Sequence, residues 1–136
     1  MKALFPHALT SGPVTIRVSV SYLPEQSEPQ RGRWFWAYHV RIENEGDQPV
    51  QLLTRRWIIT DGRGARHSVE GEGVVGEQPV IQPGASYDYV SGCPLATTSG
   101  AMQGSYRMVG ADGVTFDAAI PHFALIARRR PARAGR

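Results

Sequence analysis

Ten consecutive residues, Trp34-Phe35-Trp36-Ala37-Tyr38-His39-Val40-Arg41-Ile42-Glu43, constrain this chain more than any other stretch. Trp34, Trp36, Tyr38, Val40 and Ile42 fall on one side of the alternation. Phe35, Ala37, His39, Arg41 and Glu43 fall on the other. Side chains of a β-strand point alternately to its two faces, so the run reads as a strand with one large apolar face. That face has to be buried and is expected to anchor the core.

Other segments repeat the pattern. Residues 14–22 alternate at period two and end at Leu23-Pro24, and residues 25–33 form a polar loop. Residues 50–60 are rich in β-branched side chains. Asp61-Gly62 signals a hairpin into a strand near residues 65–69. Gln82-Pro83-Gly84 marks a turn before an alternating run at 86–91. Residues 105–109 and 114–118 flank a hairpin loop, Gly110-Ala111-Asp112-Gly113. Residues 120–126 are apolar but contain Pro121, which fits an edge strand or an extended segment. Asn44-Glu45-Gly46-Asp47 supplies a further turn. Fifteen glycines and ten prolines punctuate the chain, and no segment keeps a helical period. Seven to eight short strands with Gly/Pro turns indicate an all-β, antiparallel β-sandwich. Trp36 and Trp57 are the candidates for its central core tryptophan.

The length of 136 residues suits one domain, and 41% hydrophobic with 20% charged residues excludes a disordered chain. The formal charge of +3 is uneven. Residues 128–136 hold five arginines and no acid, which leaves ten basic against twelve acidic residues elsewhere. The chain therefore divides into a β-sandwich domain over 1–127 and an Arg-rich tail over 128–136. The tail is expected to be disordered, and the binding role it suggests is weak contact with nucleic acid or another polyanion. Cys93 is the only cysteine, so no intramolecular disulfide forms and no multi-cysteine zinc pattern exists. The N-terminus lacks the pattern of a signal peptide, and no apolar run reaches membrane-spanning length. The expected location is the cytoplasm, without membrane insertion.

Gly71-Glu72-Gly73-Val74-Val75-Gly76 carries the G-x-G-x-x-G spacing of a dinucleotide loop. That loop works because a helix starts immediately after the glycines and offers its free N–H groups to phosphate. Here Pro79 and Pro83 follow within seven residues of Gly76 and bar the helix. Glu70 and Glu72 bracket Gly71 with negative charge. The expected role of the glycines is a connection between strands, through positive φ or close backbone approach.

The run Gly71 to Gly84, with Trp57-Ile58-Ile59-Thr60-Asp61-Gly62 upstream, Tyr89 to Leu95 and Gly100 to Tyr106 downstream, resembles the ApaG family. The positions that match its signature are Gly71, Gly73, Val74, Val75, Gly76, Glu77, Gln78, Pro79, Pro83, Gly84, Tyr89, Ser91, Gly92, Leu95, Gly100, Met102, Gly104 and Tyr106. The likeness runs from about Thr15 to Ile126. It implies an immunoglobulin-like or fibronectin-III-like β-sandwich. It also implies association with cobalt resistance and magnesium efflux, and a protein-binding role like that supposed for ApaG-like domains in larger proteins. It carries no catalytic residues.

The residues themselves offer little chemistry. His7, His39, His67 and His122 are scattered without ligand spacing, so no transition-metal site is expected. Glu70, Glu72 and Glu77 read as solvated loop charges. Cys93 has no neighbouring histidine in sequence and reads as a small buried residue. Ser91-Gly92 lacks the first glycine of a nucleophile elbow, since Tyr89 stands there. The reading is therefore a non-catalytic binding module with a protein partner, no cofactor and no metal. Its candidate ligand or partner loop is Gly71, Gly73, Val74, Val75, Gly76, Glu77, Gln78 and Pro79. The alternative is a nucleotide- or pyrophosphate-binding protein, with Mg²⁺ as helper, that uses residues 71–76.

Overall fold

The alternating run around Trp36 becomes β3 (Trp34–Asn44), the strand on which one sheet is built. A computed structural model of the protein describes residues 5–128. β3 pairs along one side with β2 (Val14–Tyr22) and along the other with β7 (Ser86–Leu95), both antiparallel. β1 (His7–Ser11) pairs with β2, giving a four-stranded sheet in the order β1-β2-β3-β7. The second sheet has the order β5-β4-β8-β9, formed by β5 (Arg66–Glu72), β4 (Val50–Asp61), β8 (Ser99–Gly110) and β9 (Thr115–Ile126). The two-residue β6 (Val80–Ile81) also pairs with β4. The result is an all-β antiparallel sandwich.

The inward face of β3 behaves as its spacing requires. Trp36, Val40 and Ile42 are almost fully buried, with Tyr38 close behind. Val14, Ile16 and Val18 pack beside them from β2. The facing sheet contributes Leu52, Trp57, Met102, Tyr106, Met108, Phe123 and Leu125. Both candidate tryptophans lie in this one core. Trp57 sits among aromatic rings, with centroids 5.1 Å from Tyr38, 6.1 Å from Phe123 and 6.5 Å from Tyr106. The close, edge-on contacts to all three are the arrangement aromatic quadrupoles favour.

Nine strands are present among the described residues, against the seven to eight expected. β1 is missed because His-Ala-Leu-Thr-Ser has no apolar alternation. It meets the far sheet at its two ends, through the His7 ring 5.9 Å from that of Phe123 and the Ala119 amide donating to Ser11 Oγ at 3.0 Å. β6 is too short to register as a pattern. In the other direction, the segments read at 114–118 and 120–126 are one strand. Pro121 lies in β9, at the edge of its sheet, where the register against β8 shifts between Met102 and Gly104. A bulge at an edge is where a strand tolerates a residue without an N–H. The loop expected at 25–33 begins one residue earlier and contains two 3-10 turns, Pro24–Gln26 and Pro29–Arg31, each started by its proline. The tail expected over 128–136 lies outside the described residues from 129 onward. No helix of the described residues is long and apolar enough to cross a membrane.

Candidate functional site

The glycine loop arches between two strands that share one flank of β4. β5 pairs with residues 54–60 of β4, while β6 pairs with Val50 and Gln51. Between those segments β4 carries a bulge, with the register against β8 shifting between Leu52 and Thr54. The bulge presents the Leu53 carbonyl to the loop. It accepts from the Gly73 amide at 2.9 Å and from Gln78 Nε2 at 2.9 Å. The Leu52 amide donates to the Pro79 carbonyl at 3.0 Å.

The bulge also changes which side chains of β4 face inward. Arg55 stands opposite Tyr106, a fully buried residue, and opposite Gly71 on the other neighbour. Cross-strand partners share a face. Arg55 therefore points into the sandwich, and its Nη1 donates to the Glu72 carbonyl at 3.1 Å and the Gly73 carbonyl at 2.9 Å.

Each glycine of the G-x-G-x-x-G spacing then has its own cause. A Cβ at Gly71 would lie 2.8 Å from Arg55 Nη2, on top of the guanidinium. Gly73 has φ of +64°, and a Cβ there would strike the Glu77 carbonyl. Gly76, with φ of +82°, is the second central residue of a tight turn closed by two bonds. The Val74 amide donates to the Glu77 carbonyl at 2.8 Å, and the Glu77 amide to the Val74 carbonyl at 2.9 Å. Positive φ at both central positions is the pattern of a type I′ turn, which matches the twist of flanking strands. The amides of Gly73, Val74 and Glu77 are thus occupied by backbone carbonyls.

Val75 is the first central residue of that turn, with φ of +42°. It is the only non-glycine residue with positive φ among the described residues, and it is β-branched, the side-chain type least suited to that conformation. Its side chain is 60% exposed, and Val80 beyond the loop is 55% exposed. Val74 is buried in the core instead. The structure thus separates the eight loop residues. Val74 anchors inward, Gln78 and Pro79 bond to β4, the glycines set the path, and Val75 and Glu77 face solvent.

Beneath the loop lies a buried hydroxyl pair. Tyr89 Oη and Tyr106 Oη are 2.5 Å apart, bridging β7 of one sheet and β8 of the other. Burial pushes the hydroxyl pKa of both tyrosines up, and that of Tyr38 as well, while the positive charge of Arg55 opposes the rise at all three. Burial also pushes the Cys93 thiol up to about 11. Sequence reasoning did not find this cluster, because Tyr89 and Tyr106 sit on different sheets with no shared local motif.

A pH dependence follows from these shifts. The unfolded chain releases the Cys93 proton near its ordinary value of 9.0, while the fold holds it to about 11. The buried tyrosines extend the same effect above their ordinary value of 10.0. Raised acid pKa values give stability that is complete below the unfolded value and declines as pH rises beyond it. The urea midpoint is expected to stay level from neutrality to about pH 9 and then fall, with Cys93→Ala removing the earliest part of the fall. A midpoint that stays level through about pH 11 would contradict the burial of these groups.

The histidines remain apart from the loop. His39 is on the outer face of its sheet, with Nε2 2.9 Å from Asp88 Oδ1, and Arg41 Nε reaches the same oxygen at 2.9 Å. Phe5 stacks edge-on against His39, at 4.8 Å between centroids. Among the described residues no three of His, Cys, Asp or Glu come together as metal ligands.

A family model described as the ApaG domain matches residues 24–110. Protein ApaG of Pseudomonas aeruginosa is 58% identical over 116 residues, covering 85% of this chain and 92% of that protein. Protein ApaG of Afipia carboxidovorans is 55% identical over 112 residues, covering 82% of this chain and 86% of that protein. Among solved structures, the putative ApaA protein from Bordetella pertussis superposes with a TM-score of 0.83 at 45% identity, covering 86% of this chain and 95% of that one. The C-terminal domain of wzt matches with a TM-score of 0.51 at 13% identity, covering 96% of this chain and 84% of that one, a likeness of fold alone.

Proposed function

The chain belongs to the ApaG family, and from that premise we propose that it is a non-catalytic binding module that contacts a protein partner through its glycine loop. Any effect on cobalt resistance or magnesium efflux is then exerted through that partner. The observation that carries this reading is Val75. A β-branched residue at positive φ costs about 1–2 kcal/mol, and glycine in its place would remove that strain. A strained residue that is also exposed, on a loop tied to the sheet by Arg55 and Gln78, is better explained by what it touches than by what it stabilises. Val80, on β6 just beyond the loop, is exposed as well.

The surroundings support a role without catalysis. Cys93 is buried and its thiol pKa is pushed up to about 11, which opposes formation of a nucleophilic thiolate. His39 is held by its hydrogen bond to Asp88 on the outer face of its sheet, away from the loop. Three amides of the loop, those of Gly73, Val74 and Glu77, are already bonded to the carbonyls of Leu53, Glu77 and Val74.

The test compares the full chain with Val75→Gly and Val75→Asp. Val75→Gly is expected to gain about 1 kcal/mol of stability by relief of strain. Both variants are expected to lose proteins that the parent chain retains from a lysate of its source organism. Equal retention by all three would remove the loop from the contact surface. An amide chemical-shift titration with ATP, with and without Mg²⁺, is expected to leave Gly71, Gly73 and Gly76 unmoved. Saturable shifts at those glycines would replace this reading with nucleotide binding.

A further inference from the structure

A cleft of about 470 Å³ opens between the sheets on the flank where β5 ends one sheet and β7 ends the other. Its floor is aromatic, formed by Tyr38 and Trp57 with ring centroids 5.1 Å apart. Val69 from β5 and Leu95 from β7 form opposing apolar walls. Ser91 offers a hydroxyl beside that of Tyr38. Small-molecule sites have this size and makeup, apolar and aromatic walls with a few converging polar groups.

Arg55 gives the cleft its charge. It lines the cleft from the inner face of β4. Only its Nη1 is bonded to the protein, and the acceptors there are two neutral carbonyls. Among the described residues no carboxylate lies within ion-pair distance of it, whereas Arg17, Arg41, Arg56 and Arg107 each have one. Asp61, the carboxylate that lines the cleft, accepts from the Arg63 and Ala65 amides instead. A guanidinium between two sheets without a counter-charge favours an anion there, and its planar fork suits a carboxylate.

We propose that this cleft binds a small aromatic carboxylate, with the carboxylate on Arg55 and the ring over the Tyr38 and Trp57 floor, between the Val69 and Leu95 walls. The ligand body displaces water from the apolar walls, while Arg55 supplies the charge selection. The site shares Arg55 with the glycine loop but not the loop's exposed surface, so it stands or falls separately from the proposed partner contact.

The test is an amide and indole chemical-shift titration of the nitrogen-labelled full chain. The probes are phenylacetate, its neutral counterpart phenylethanol, and inorganic phosphate. Phenylacetate is expected to give saturable shifts at the Trp57 indole and at the amides of Val69, Ser91 and Gly92. Phenylethanol should bind there about tenfold more weakly, for want of the charged hydrogen bonds. Arg55→Gln is expected to reduce phenylacetate to the level of the alcohol, and Ser91→Trp, which fills the cleft and leaves Arg55 in place, to abolish both. The comparison of acid with alcohol on the unaltered chain needs no variant to fold. Equal affinity for acid and alcohol, shifts that do not saturate, or shifts centred on the amides of Val50 and Phe116 at another surface would each overturn the assignment. Phosphate moving the Trp57 indole as strongly as phenylacetate would overturn it too, in favour of an inorganic anion.

Discussion

Trp36→Ala is expected to cost about 3–5 kcal/mol, the range for truncating a fully buried tryptophan. A domain of this kind holds only about 5–15 kcal/mol in total, so this one change removes a large share of it. Trp36 is 1% exposed, on the inward face of β3 near the start of the strand. Its ring is 5.5 Å from Tyr22 across the same sheet, and its Nε1 donates to the Ile126 carbonyl at 3.0 Å across the core. It therefore connects the first sheet to the last residue of β9. Trp36→Phe keeps most of the apolar contact and gives up the hydrogen bond, so its cost should be smaller, about 1–2 kcal/mol. Trp34→Ala, on the same face but only half-buried, should cost less than Trp36→Ala. Urea denaturation of the three variants ranks them. Equal losses at positions 34 and 36 would mean that the core is not centred where the burial places it.

The same alternation explains why so much of the fold was legible and where legibility stopped. β2, β3 and β7 are regular, so period two assigns their faces correctly, and Trp36 and Ile42 are buried as the pattern demands. β4 is not regular. Straight alternation places Leu52 and Trp57 on opposite faces because they are five residues apart, yet both are in the core. The bulge between Leu52 and Thr54 reconciles them by inserting one residue, which exchanges the faces beyond it. That exchange turns Arg55 inward, and Arg55 is what the loop and the cleft are organised around. The odd spacing of two residues that must both be buried was the available signal. The glycine loop was half legible. Pro79 and Pro83 exclude the phosphate-binding helix in the sequence itself. The reasons for each glycine, above all the Arg55 guanidinium over Gly71, require the partner strand to be known. The Tyr89–Tyr106 pair had no sequence signal, because contact across two sheets leaves no local spacing.

Asn44→Ala is expected to cost about 2–4 kcal/mol, more than its small apolar area would suggest, because it orphans buried polar groups. In the sequence Asn44 reads as one residue of a turn. In the fold it is 1% exposed and bonded through both atoms of its amide. Nδ2 donates to the Gln48 carbonyl at 2.8 Å and to the Ile81 carbonyl at 2.9 Å, while Oδ1 accepts from the Gly46 amide at 3.0 Å. Its own backbone bonds to Ala85 and Gly84. The side chain thus fastens the turn after β3 to the end of β6, while the backbone of the same residue holds the turn before β7. Asn44→Asp separates hydrogen bonding from size. Its carboxylate keeps the shape but faces two carbonyl oxygens with no hydrogen to donate, so at neutral pH it should cost at least as much as alanine. Protonation restores one donor. The loss in Asn44→Asp, measured against the parent chain at each pH, should therefore shrink as pH falls through the carboxyl's raised pKa, while that of Asn44→Ala does not change in parallel. A substitution to aspartate that is milder than alanine at neutral pH would mean that the Gln48 and Ile81 carbonyls find water instead, and that β6 is held by β4 alone.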